Sequence, residues 1–319
     1  MPELDGLRAL AVLLVVGVHT GVPGFAGGAI GVDVFFVLSG YLITRLLRDS
    51  RPTLGDFYLR RFWRLTPPLA LMLAVYVVVY SVLIPGYPHW RDALLSLAYL
   101  TDYSRAFWHL PTYVAHTWSL SVEEHFYLIW PLVLLRWNPS VKALMVAYVL
   151  ATVWRWLPWQ EAAYLRFDTR IAPLLLGCII AQVPRGRFPA WPALIPLAAA
   201  TALNPWQWDG IAGAAAVMAV EAAAACAILG KSPAWLSHRW AVYLGKLSYG
   251  IYLWHVLISV YLVDVMLVSW REALIYTLPG SIALAAVSYH TIEAWARRRR
   301  NTRTVTRRSS QPMNPASGM

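Results

Sequence analysis

Apolar runs close to the length that crosses a bilayer follow one another along almost the whole chain. They fall at about residues 7–23, 29–47, 66–84, 119–137, 142–157, 170–184, 190–204, 211–229, 241–263 and 271–294. A water-soluble core cannot absorb so many continuous runs, and in lipid only helices or closed barrels satisfy every backbone polar group. The fold class expected is therefore all-α: a polytopic integral membrane helical bundle of about ten transmembrane helices. Composition agrees, with 59% hydrophobic residues, 13% charged residues and a mean hydropathy of +0.51. A weaker apolar piece at 93–101 is too short to span and is read as a re-entrant or surface helix.

An even number of spans puts both termini on one side, and the basic residues choose the side. With a cytoplasmic N-terminus, the outer segments hold only Arg91, Arg105, Arg155, Arg166, Arg170 and Arg271. Every other lysine and arginine, including the "RRRR" after residue 296, then lies inside. The expected location is thus the inner (cytoplasmic) membrane with both ends cytoplasmic. The net charge of +11 sits in inner loops and the tail, where anionic lipid attracts it, and it calls for no nucleic-acid partner. Cys178 and Cys226 fall inside expected spans without metal-ligand or disulfide spacing. The first apolar run lacks a basic leader and carries Arg8 and His19, so it does not read as a cleaved signal.

Ionisable residues inside a membrane are costly unless paired or wetted, which makes each one a functional candidate. In "LRALAVLLVVGVHTG", Arg8 and His19 are eleven residues apart, about three helical turns and roughly 16 Å along one face. In "GVDVFFVLSGYLI", Asp33 opens a span that Ser39, Gly40 and Tyr41 interrupt; Gly40 suits close helix approach, while Ser39 and Tyr41 are candidate substrate-binding residues. In "FYLRRFWRLTPPL", Arg60, Arg61 and Arg64 stand where the chain re-enters the membrane, placed either to set topology or to converge on phosphate. "HTWSLSVEEHFYLIWP" offers helix caps in Ser119 and Ser121, but adjacent Glu123 and Glu124 exceed what a cap requires. With Glu123 and Glu124 at the outer end of their span, either could orient His19 as a general base, and Trp118 beside them is a further candidate substrate contact. His255, in "YLGKLSYGIYLWH", lies near mid-membrane among aromatics as either a packing or a pore residue.

These motifs, together with "LDGLRALAVLLVVGVH", occur in the order found in the acyltransferase-3 family of bacterial integral membrane acyltransferases, which the chain resembles over residues 4–255. The resemblance implies transfer of an acyl group, acetyl in the first instance, from cytoplasmic acyl-CoA to a hydroxyl of a sugar, glycan or glycosylated metabolite. It implies essential roles for Arg8 and His19 and donor binding by Arg60, Arg61 and Arg64. No metal is implied. The family's last span often ends in Tyr-x-x-x-Glu-x-Pro, whereas this chain keeps Tyr289 and Glu293 and has Trp295 in place of Pro. The domain reading is a membrane acyltransferase unit at 1–296 and a basic, disordered tail at 297–319.

On this reading acetyl-CoA or another acyl-CoA enters past the arginines, its arm threads toward His19, and membrane lipid surrounds the bundle. A covalent acyl intermediate is the alternative chemistry. Two rival classes use the same residue types. A secondary transporter couples ions through buried Arg, His and Glu but calls for internal repeats, which the sequence does not show. A haem protein could use His19 and His255 but leaves the arginines without a task.

Overall fold

In the computed structural model the described residues are 1–157, 162, 164–204, 207 and 210–299. Among them every regular element is a helix, with no strand. The helices are α1 (Pro2–His19), α2 (Ile30–Ser50), α3 (Leu54–Leu83), α4 (His89–Leu97), α5 (Thr101–Trp108) and α6 (Trp118–Trp137). They continue with α7 (Val141–Arg155), α8 (Phe167–Ile180), α9 (Leu194–Leu203), α10 (Gly210–Leu229), α11 (Arg239–Val260) and α12 (Trp270–His290). Local chemistry marks several ends. Thr53 and Ser140 cap α3 and α7 through their hydroxyls, and Ser269 with Glu272 forms a reciprocal capping box on α12.

Among the described residues, five helical segments are long and apolar enough to cross a membrane: Ile30–Ser50, Leu54–Leu83, Ile211–Leu229, Arg239–Val265 and Trp270–Arg299. The expected total of about ten is not reached by this measure, for physical reasons. α1 is long enough but includes Glu3, Asp5 and Arg8, while α7, α8 and α9 are short. The 66–84 run proves to be the second half of one helix that starts at Leu54, so the three arginines are helical residues and Pro67 and Pro68 lie inside α3. The 93–101 piece resolves into parts of two short helices, α4 and α5. Apart from Arg297, Arg298 and Arg299, the basic tail lies outside the described residues.

Helix packing depends on small residues where backbones approach. A side chain at Gly40 of α2 would overlap the Leu174 carbonyl of α8, and one at Gly177 would overlap the Val37 carbonyl in return. A side chain at Gly245 of α11 would likewise overlap the Asp5 carbonyl of α1. Such contacts let α1 lie against α11, and α2 against α8, at van der Waals distance. The outer faces run the other way: Val78 and Val82 of α3, Leu135 of α6, Leu150 of α7 and Ile275 of α12 are exposed, the pattern of a lipid-facing surface.

Among the described residues, two ion pairs lie wholly inside. Arg170 of α8 meets Asp33 of α2 at 3.0 Å, and Arg155 of α7 meets Glu221 of α10 at 2.8 Å. All four side chains are fully buried, and Tyr148 also donates to Glu221 at 2.9 Å. Asp33 is thereby part of the scaffold, tying α2 to α8 beside the rings of Phe36, Trp118 and Tyr164 that surround the Arg170 guanidinium. Cys178 is buried and Cys226 exposed, and both are free thiols.

Candidate active site

α1 is the axis of the site, because cavities adjoin along its length from Asp5 to His19. The first, about 290 Å³, opens between α1, α3, α11 and the end of the α12 segment, where Arg8, Arg64, Lys246 and Arg297 face Asp5 and Glu293. A second, about 320 Å³, shares Arg8, Arg64, Ser248 and Tyr249 with the first and adds Ser39, Arg61, Glu123 and Tyr127. A third, about 380 Å³, shares Val32 and Tyr252 with the second and is lined by His19, His116, Trp118, Tyr164, Asn204 and Gln207. Together they form a row with cations at one end and imidazoles at the other, each cavity of a size that holds a small ligand.

At the cationic end, Arg8 reaches the Asp5 carboxylate at 3.2 Å, and the Arg61 guanidinium lies 3.8 Å from the centre of the Tyr127 ring. Tyr249 donates to the Leu65 carbonyl at 2.7 Å, tying α11 to α3 just before Pro67 and Pro68 and within the turn that bears Arg64. Those prolines withdraw two N–H donors from the helix ladder next to the arginines. In the middle cavity the Ser39 hydroxyl donates to Glu123 Oε1 at 2.5 Å and accepts from the Tyr127 hydroxyl at 3.1 Å. Ser39, Glu123 and Tyr127 thus form one short hydrogen-bonded chain facing Arg61.

At the other end His19 is exposed to its chamber. Its Nδ1 lies 2.9 Å from the Val15 carbonyl, one turn back on α1. A carbonyl oxygen only accepts, so Nδ1 carries the proton and Nε2 keeps its lone pair. The partition between this chamber and the middle cavity is polar: Tyr252 donates to the His116 carbonyl at 2.8 Å and takes the Ser119 hydroxyl at 2.6 Å.

The structure separates several residues that sequence reasoning had joined. Arg8 and His19 do share the row, Arg64 joins Arg8 in the first two cavities, and Arg61 joins them in the middle one. Arg60 does not: it is exposed and lines none of these cavities, since a helix turns it about 100° from Arg61. Glu123 bonds Ser39 rather than His19, and Glu124 lines none of the three cavities. The reason is axial. α6 begins at Trp118, which does border the His19 chamber, and five residues of helix carry Glu123 about 7.5 Å further along. Tyr41 is 1% exposed and packs in the core between α2 and its neighbours, away from the cavities. Missed altogether was His116, which opens the motif that holds Glu123 and Glu124 and lines the same chamber as His19. Among the described residues no group of three or more His, Cys, Asp or Glu side chains is arranged to hold a metal ion.

Residues 1–292 match the family described as Acyltransferase domain. The peptidoglycan O-acetyltransferase OatA of Listeria monocytogenes is 32% identical over an alignment that covers 92% of this chain and 55% of that protein. YrhL of Bacillus subtilis is also 32% identical, covering 92% of this chain and 54% of YrhL. The O-acetyltransferase OatA of Staphylococcus aureus is 28% identical, covering 94% and 57% respectively. The chain thus spans little more than half the length of these relatives. No solved structure matches it.

Proposed function

The chain belongs to the acyltransferase-domain family, and from that premise we propose that it is a membrane O-acetyltransferase acting from acyl-CoA onto a glycan hydroxyl. The observation that carries this reading is the row of adjoining cavities along α1, with Arg8, Arg61 and Arg64 at one end and His19 at the other. Guanidiniums in a cleft suit the phosphates of a CoA head group by charge-assisted hydrogen bonds. The roughly 16 Å between Arg8 and His19 on α1 is comparable to the reach of a pantetheine arm. Ser39, Glu123 and Tyr127 then line the passage of that arm, and Trp118, Tyr164, Asn204 and Gln207 line the chamber that receives the acceptor.

In this reading His19 Nε2 takes the proton of the acceptor hydroxyl as its oxygen attacks the thioester carbonyl carbon. The C–S bond breaks, and the imidazolium returns the proton to the departing CoA thiolate, leaving an acetyl ester and free CoA. Peptidoglycan is the acceptor class favoured by the similarity to the Listeria protein. The same reading keeps about ten spans, with both termini on the cytoplasmic side of the inner membrane and the cationic end facing the donor pool. The test is direct: the purified protein in lipid vesicles, given acetyl-CoA and soluble muramyl glycans, should release free thiol and yield acetylated glycan. Thiol release no faster than without protein would reject it.

A further inference from the structure

We infer that His255 is the positioning residue for His19, holding its imidazole in the orientation and tautomer that leave Nε2 free toward the chamber. The inference rests on the reading of His19 as the base and goes beyond it by assigning the partner that a carboxylate was expected to supply. His255 stands on α11, fully buried and outside the lining of the third cavity, so it meets His19 from behind.

Hydrogen-bond directions decide both rings. His255 Nδ1 lies 2.8 Å from the Tyr252 carbonyl and 3.2 Å from the Ile251 carbonyl. Carbonyls only accept, so Nδ1 carries the proton, and in the neutral ring Nε2 is an acceptor. That Nε2 lies 3.3 Å from His19 Nδ1, which the Val15 carbonyl has independently identified as protonated. The opposite assignment would turn lone pairs toward carbonyl oxygens on both rings at once. The rings stand 5.0 Å apart and 68° from coplanar, a T-shaped arrangement in which the two nitrogens meet.

Two acceptors on two helices therefore share one N–H of His19. The Val15 contact lies within α1, while the His255 contact fixes the ring against α11, the helix packed most closely on α1. When Nε2 takes a proton, the His19 Nδ1–H becomes a cationic donor, and its bond to the neutral His255 nitrogen strengthens at that moment. The imidazolium is stabilised by this contact as it forms. The His116 ring, 5.7 Å from that of His255, completes a row of imidazoles around this contact.

The test compares His255→Gln, His255→Asn and His255→Phe in the full chain reconstituted in vesicles. A glutamine amide oxygen reaches about as far as Nε2, whereas asparagine keeps a donor for the helix carbonyls but falls short of His19. His255→Gln should keep kcat near wild type, and Asn and Phe should lower kcat by about 10–100-fold with acetyl-CoA KM and binding unchanged. Asparagine as active as glutamine, or a loss confined to KM, would overturn the assignment. Magnetic resonance of 15N-histidine-labelled protein in lipid supplies a readout free of turnover: His19 should be protonated at Nδ1 in the resting protein, and protonation at Nε2 would overturn it. A wild type that turns over no acetyl-CoA would remove the functional reading instead, leaving the resonance result to decide the geometry.

Discussion

Arg60 and Arg61 are neighbours of identical chemistry, yet only Arg61 faces the middle cavity, so their substitutions should part. Arg61→Ala should weaken acetyl-CoA binding by about 10–100-fold, the scale of one charge-assisted contact, and flatten its salt dependence. Arg60→Ala should leave binding unchanged; isothermal titration at two ionic strengths measures both, and equal losses would mean that the arginines act only through net charge. The pairing of Arg8 with His19 was legible in the sequence because both lie on one helix, where spacing alone determines the shared face. The choice between Arg60 and Arg61 was not, because it depends on which side of α3 meets α1 and α6. The partner of His19 was further from reach, since His255 is 236 residues away and no local periodicity links them.

Among the elements, α2 is anchored twice to α8: by the Gly40 and Gly177 approach and by the Asp33 and Arg170 pair. Asp33→Asn would remove the carboxylate charge that the fully buried Arg170 guanidinium meets, and breaking such a pair costs about 3–5 kcal/mol. The variant should lose its folded fraction in detergent at a lower temperature than wild type, whereas the conservative Asp33→Glu should recover part of the difference; an unchanged melting temperature would show the pair to be solvated. Gly40→Val should fail in the same assay through overlap with the Leu174 carbonyl. Helix identities were readable from apolar runs, and Gly40 from its place in an apolar span. The 66–84 boundary was not, because prolines and arginines that mark helix ends in water lie inside the 30 residues of α3. The ion pairs were not legible for another reason: Asp33 stood out in its span, but its pairing with Arg170 joins helices distant in sequence.

For the whole molecule, the basic residues and the cavity row make compatible demands on orientation. The cationic end of the row involves Arg8, Arg64, Lys246 and Arg297, all in segments that the positive-inside pattern puts in the cytoplasm. A reporter fused after Met319 should be active only in its cytoplasmic form; a periplasmic signal would reverse the donor and acceptor ends. The central claim is that donor binding and chemistry occupy opposite ends of α1, and one measurement reaches it directly. His19→Ala protein in vesicles should bind acetyl-CoA as wild type does while acetyl transfer to glycan falls by about 10²–10⁴-fold, the usual worth of a general base. Transfer at the wild-type rate by that variant, or loss of acetyl-CoA binding along with transfer, would contradict the account.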